Sequence, residues 1–494
     1  MRLRKTFNYL RRKCFIILAV SAGLFWLSAC ENFLDEQPIS DLSSEKFWNT
    51  PDDARLGVAG LYSRVQAVFS TDYILWGDAR SDNFTYSGTG TAQINMSINA
   101  LNSTEASASW ANLYKAIAQA NLIIKYIPDI EGVDEVTRDH YLAQAHAVRA
   151  YMYFFIVRLW GDAPIWLEPY EDINEEPDRE RSPNEQIIQE VILPDLNAAL
   201  SLVNSEATPV REINIGGILA MMTDVYMWLH DYEQALDVSK QLIELDRYNL
   251  APGEQWKELF LEPSTSKGNI WTLGWDYIQD GPDGTSRLIG AGNADPLYVM
   301  DNPIIERFQE EPKDIRANLT FDSLLFANAE DPNARSKRLG KYAVMNPDGS
   351  FQYPQSTQSE YQLPIYRYAD VLLLRAEALN KTGDKTGAFE LLNEIRDRAG
   401  LDALEEADYK SEEEVETAIL DERQLELFAE GKRWFDLVRT NRVLEVMDPV
   451  VRDRQERLEM TQKGFTDERK ILFPIHRNVL INNPLLNQNA GYSH

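Results

Sequence analysis

The sequence predicts a mostly α-helical protein, one large domain of paired helices with long loop insertions and a few short strands. Three observations predict it. Apolar residues recur at intervals of three and four over most of the chain. Two segments far apart in the sequence share the pattern of a helix hairpin. Between them the periodicity lapses into Gly, Pro, Asn and Asp clusters, with one alternating run.

The 494 residues are 44% hydrophobic and 26% charged, a globular composition that excludes a disordered chain and a polytopic membrane protein. Acids number 78 against 49 bases, a net charge of −29. So negative a surface repels phosphate backbones, and the bases do not cluster in the body of the chain, so nucleic acid is not expected as a partner.

The first residues form a separate object. Arg2, Arg4, Lys5, Arg11, Arg12 and Lys13 precede an apolar run from Phe15 to Leu27 that is too short to cross a bilayer as a stable helix. Residues 1–29 read as a signal peptide. It ends in Leu27-Ser28-Ala29-Cys30, which resembles the lipobox of bacterial lipoproteins and makes Cys30 the expected site of lipidation. The other cysteine, Cys14, leaves with the signal, so the mature chain is expected to hold neither a disulfide nor a free thiol. Loss of six positive charges takes the net value from −29 to −35. Residues 30–40 then form a polar lipidated tether, able to hold a soluble body at a membrane surface.

Residues 41–494 read as a single domain. Asp41 to Glu45 offers N-cap chemistry and Pro51-Asp52-Asp53 a second helix start, followed by a buried face at Ala54, Leu56, Ala59, Leu61, Val65 and Val68. From Trp76 to Ser109 periodicity disappears, which predicts a long loop of functional type. Trp110 to Ile127 and the aromatic stretch Tyr141 to Trp160 are helices ending at Pro128 and Gly161. Pro164 to Pro183 is an acidic, proline-rich surface excursion. Asn184 to Leu202 resumes a helix with one proline interruption.

Ile215 to Leu245 reads as a helix pair turning at His230-Asp231-Tyr232, with Ala220, Val225 and Leu229 before the turn and Ala235, Val238 and Leu242 after it. It resembles a tetratricopeptide unit. A second copy spans Leu372 to Ala399, turning at Gly383-Asp384, about 150 residues further on. A regular array would repeat every 34 or so, so helix-pair packing with insertions is expected and not a plain solenoid. The stretch 250–361 is a loop-rich insertion holding the alternating run Ile270 to Tyr277, a strand with its aromatics on one face.

Catalytic machinery is sparse. His140 and His146 lie six apart, which points their rings to different helix faces, so no metal site is expected there. No Gly-x-Ser-x-Gly elbow occurs, and Gly88-Thr89-Gly90 lacks the context of a phosphate-binding turn. The densest charged run is Asp421 to Arg439. On a helix, Glu422, Glu426 and Glu430 fall on one stripe, readable as a row of glycosidase acids or as an ion-pair lattice. The lattice is favoured, because Arg423, Arg433 and Arg439 stand within reach and no acid is isolated among apolar residues.

Ile365-Tyr366-Arg367-Tyr368-Ala369-Asp370 through Leu379, then Leu392 to Gly400, Glu422-Arg423 to Arg439, Phe473-Pro474-Ile475, Asn483-Pro484 and Gln488 to Tyr492 resemble the C-terminal signature of the SusD/RagB family. The N-terminal half matches in family order: the lipobox, Asn32-Phe33-Leu34-Asp35, Phe47-Trp48, Ser81-Asp82-Asn83, Trp110 to Tyr114 and Ala120-Asn121. One departure is Ala490, where the family usually has proline. The resemblance implies a tetratricopeptide-containing lipoprotein on the outer-membrane surface of Bacteroidota-type bacteria. It would capture oligosaccharides, or sometimes peptides, for a TonB-dependent transporter of the SusC type, as a binding protein without enzymatic activity or cofactor. A helical glycoside hydrolase, a pilus or surface-layer subunit and an intracellular tetratricopeptide scaffold are the alternatives, the last incompatible with a lipidated terminus.

A sugar offers apolar C–H faces and a polar rim, so its binder needs flat aromatic platforms beside amides, carboxylates or guanidinium groups. Among 11 Trp, 22 Tyr and 19 Phe, those at helical spacing (Tyr151, Tyr153, Phe154, Phe155, Trp160, Trp434, Phe435) read as packing. The loops hold the exceptions. Trp76, Arg80, Asp82, Asn83 and Tyr86, with Phe84 among them, occupy the first long loop; Trp275, Tyr277 and Tyr298 flank the glycine-rich Gly281 to Gly292. In the family the ligand arc comes from corresponding loop regions, and those residues are the expected ligand contacts, Asp82 being equally readable as structural. A calcium ion at Asp280 to Asp283 is left open. The acidic body favours neutral glycans.

Overall fold

A computed structural model describes residues 47–172, 174–206, 209–321 and 338–493. The fold below is that of the compact unit Thr50–His494. The signal peptide, Cys30, the tether and the Asp41 cap lie outside the described residues. Among the described residues, no helix is long and apolar enough to cross a membrane.

Helix α1 (Pro51–Phe69) starts where Thr50 and Asp53 close a reciprocal cap with each other's backbone N–H groups. It packs on α2 (Ala111–Tyr126) and α3 (Glu135–Trp160). From Ala143 onward nearly every residue of α3 is buried, Tyr151, Phe154, Phe155 and Trp160 among them. A helix buried on all sides belongs at the centre of a core, and its buried Arg149 and Arg158 pair with Asp195 and Asp224. It also packs on α4 (Leu193–Leu202), reached from Asn184 through a wide helical turn at Ile188–Ile192 just ahead of Pro194.

The two hairpin units are α5 (Ile215–Trp228) with α6 (Tyr232–Glu244), and α7 (Tyr368–Lys381) with α8 (Lys385–Arg398). Both turn the same way: one residue with positive φ, His230 at 57° or Gly383 at 90°, precedes an aspartate that caps the next helix. Although the insertion separates them in sequence, α6 packs directly on α7, where Met227, Ala235, Leu374 and Ala378 form one buried cluster. They are therefore consecutive repeats in space. α9 (Glu412–Glu426) packs on α7, and α10 (Arg433–Arg439) and α11 (Val443–Arg457) follow.

The described part of the insertion holds more regular structure than its composition suggests. β1 (Phe84–Tyr86) pairs antiparallel with β3 (Tyr298–Met300), β2 (Asn269–Gly274) with β6 (Gln362–Arg367), and β4 (Val344–Met345) with β5 (Phe351–Gln352). The alternating run of the sequence thus ends at Gly274. Register shifts on either side of Trp271 break its alternation, and β2 is buried along nearly its whole length.

Candidate functional site

The segment 76–86, expected as an open loop, is instead driven into the core. Trp76 is 1% exposed, donates its Nε1–H to the Ser107 carbonyl at 2.9 Å, and packs among Phe155 and Trp160. Arg80 is fully buried: its guanidinium lies 3.8 Å over the Trp434 ring and donates to Asn99 Oδ1 and the Lys470 carbonyl. Burial pushes its pKa down to about 9. Asp82 receives both Nε and Nη2 of Arg433, at 2.9 and 3.0 Å, and Gln424 Nε2 at 2.9 Å. Burial alone would raise that carboxyl, but Arg433 holds it below the usual carboxylate range. Asn83 donates to Asp78 and accepts from Gln424. Of the two readings given to Asp82, the structural one describes this geometry. The expectation that Trp76, Arg80 and Asn83 face a ligand is corrected: each is enclosed, because polar groups placed in a core must find partners there.

The second loop divides similarly. Trp275 and Tyr298 are buried, Trp275 beside Tyr361 and Tyr298 opposite Tyr86 in the β1–β3 ladder. Neither offers an open face. Tyr277 and Tyr86 are half-buried, and beyond Tyr277 the chain is open at Ile278, 81% exposed.

These two tyrosines sit on loops stitched to one another. Ser87 N–H donates to the Leu297 carbonyl at 2.9 Å, and Asn293 N–H to the Pro354 carbonyl at 2.9 Å. Gln66 reaches from α1 to the Gly274 carbonyl at 2.8 Å and to Asp280. Asp283 accepts from the backbone and hydroxyl of Ser286 and from Ser359. The calcium alternative thus meets carboxylates already engaged: Asp283 by these donors, Asp280 by Gln66 and the Asp276 N–H. Loops fixed in this way lose little entropy when a ligand settles on them.

The acidic row is an ion-pair lattice. The helix breaks after Glu426, with Ala429 and Gly431 at positive φ, so Glu430 is not on its stripe. Arg316 still joins Glu422 and Glu426 at 2.7 and 3.0 Å, Arg367 joins Glu426 and Glu430 at 2.8 and 2.7 Å, and Lys341 reaches Glu430 at 2.6 Å. Burial works to raise the Glu426 carboxyl, yet Arg398, Arg367 and Arg316 together hold it well below the ordinary carboxylate range. A general acid needs the opposite shift.

The sequence reading passed over Trp166 and Tyr170, an aromatic pair four residues apart in a proline-rich passage outside any helix. That spacing outside a helix was the available signal, because such rings cannot serve a helix face.

Stacked helix pairs holding a stitched loop platform define a repeat-built scaffold as the class of protein. The chain belongs to the SusD family. Residues 322–492 match the model described as SusD family, and residues 32–227 the model described as starch-binding associating with outer membrane. SusD-like protein P38 of Formosa agariphila is 31% identical over 523 residues, covering 97% of this chain and 98% of that one. Among solved structures, a SusD superfamily protein from Bacteroides vulgatus shares the fold with a TM-score of 0.76 at 20% identity, over 90% of this chain and 100% of the other. A structure titled laminarin-binding SusD-like protein gives 0.73 at 21% identity, again over 90% and 100%.

Proposed function

We propose that this chain is a cell-surface lipoprotein, anchored at Cys30, that captures oligosaccharides and delivers them to a TonB-dependent SusC-type transporter of the outer membrane. The observation that carries the reading is membership, along nearly the whole chain, of a family whose N-terminal model is described as starch-binding associating with outer membrane. The platform supports it physically. Tyr86 and Tyr277 supply half-open rings for sugar faces, and Gln279, Asp280 and Asn293 stand exposed on the same loops as rim donors and acceptors. Trp76, Arg80, Asp82, Asn83, Trp275 and Tyr298 hold that platform in place from beneath. An acidic body favours neutral glycans.

Glycan-array binding by the lipid-free domain, residues 31–494, tests this. The expected result is retention of a neutral glycan class, weakened about tenfold by Tyr86→Ala with Tyr277→Ala at an unchanged melting temperature, a loss of ~1.4 kcal/mol. Absence of binding to every glycan would overturn the function, and unchanged affinity in the double variant would move the site off the platform.

A further inference from the structure

We infer that the chain carries a second saccharide site, a cleft of about 430 Å³ between α2, the 164–178 excursion and the C-terminal segment 479–486. Its size falls among small-ligand sites, roughly 300–1,000 Å³. The inference rests on the proposed glycan capture.

Three partly open aromatics line the cleft, Tyr114, Trp166 and Tyr170, with Pro164 and Pro177 between them and the buried Trp110 at its floor. Trp166 and Tyr114 are half-buried, and Tyr170 is 46% exposed. The rings are positioned in advance. Tyr153 accepts the Trp166 N–H at 2.7 Å and donates to its carbonyl at 3.0 Å; Tyr114 donates to the Pro164 carbonyl at 2.6 Å; Asn121 donates to the carbonyls of Trp166 and Glu168. Arg179 lies 3.6 Å over the Trp166 ring, and Tyr170 meets that ring edge-on with the centroids 5.9 Å apart. Wall rigidity of this kind lowers the entropic cost of holding a ligand.

The rim decides the class. Glu168 and Asp178 line the same cleft, and among the described residues their carboxylates make no ion pair or hydrogen bond. Two free carboxylates beside aromatic faces suit a ligand with apolar C–H surface and vicinal hydroxyl donors, which is a neutral pyranoside. They repel an anionic sugar. A second site on one chain raises avidity for a polymer long enough to reach both.

Isothermal titration of the lipid-free domain with neutral hexasaccharides (laminari-, malto-, cello-, xylo- and mannohexaose) and their parent polymers distinguishes the outcomes. Three proteins are compared: the wild type, Trp166→Ala with Tyr170→Ala, and Tyr86→Ala with Tyr277→Ala. The cleft pair is expected to lose one binding site per chain and about tenfold in apparent polymer affinity. Glu168→Gln with Asp178→Asn, which leaves the packing intact, is expected to weaken the same site. If the cleft variants titrate like the wild type while the platform variant loses binding, the second site is refuted and the capture function stands. Failure of the wild type to bind any of these probes refutes the second site, while the capture function is decided by the glycan array.

Discussion

Glu426→Gln separates a lattice residue from a catalytic one. Its carboxylate is fully buried and receives Arg316 at 3.0 Å, Arg367 at 2.8 Å, and Arg398. Glutamine keeps the shape, removes the charge and turns an N–H₂ group toward guanidinium donors. Removing one partner of a buried ion network costs about 3–5 kcal/mol, because the remaining charges stay enclosed and undercompensated. With an unfolding entropy of ~2.1 cal/mol/K per residue over roughly 450 residues, that becomes a fall in melting temperature of about 3–5 °C. Scanning calorimetry at pH 7 reads it. The control is Glu413→Gln, 79% exposed and 3.8 Å from Arg442, which should melt with the wild type. The pH dependence has a defined sign. A carboxyl held below its unfolded value stabilises the fold above about pH 4 and loses that contribution as pH falls, so the gap between wild type and Glu426→Gln should narrow on acidification. A variant melting within 1 °C of the wild type at pH 7 would refute the lattice. So would the loss of a glycan-cleaving activity with the fold intact.

Gly77→Ala should lower the melting temperature by several degrees, because an added Cβ would stand 2.0 Å from the Gly431 carbonyl oxygen, itself backbone; calorimetry checks it. Asp78, enclosed beside Gly431 and Asn83, has its pKa raised to about 7 by burial. Its folded form keeps a proton that the unfolded chain releases near pH 4, so rising pH removes stability between about 4 and 7, by up to ~4 kcal/mol. The melting temperature of the wild type relative to Asp78→Asn should therefore decline across that window, and a constant difference would contradict it. Asp82→Asn should melt several degrees below the wild type with hexasaccharide affinity unchanged at 20 °C; lost affinity at an unchanged melting temperature would make it a ligand contact after all.

Helices were legible where the chain solves its own local problem. Asp231 and Asp384 cap the helices that follow them, Gly383 supplies the positive φ of its turn, and the apolar spacing of Ala235, Val238 and Leu242 marks the face that packs. What joins the two hairpins was not legible. Leu374 and Ala378 read as one repeat's apolar face, and nothing local reveals that Met227 and Ala235 complete it across the insertion.

The burial of the 76–86 segment was not legible either, for a related reason. Asp78, Arg80, Asp82 and Asn83 look like loop surface because sequence reading assigns polar side chains to water. Their partners lie far down the chain: Arg433 is 351 residues from Asp82, and Gly431 is 353 from Asp78. A polar side chain can enter a core only with such a partner, and a partner so distant carries no signature in the local pattern. The same pairing locks 78–83 to 424–433 and so fixes where the following strand and its Tyr86 emerge. Buried charge here sets position, and it leaves Tyr86 half in water at the end of the strand it fixes.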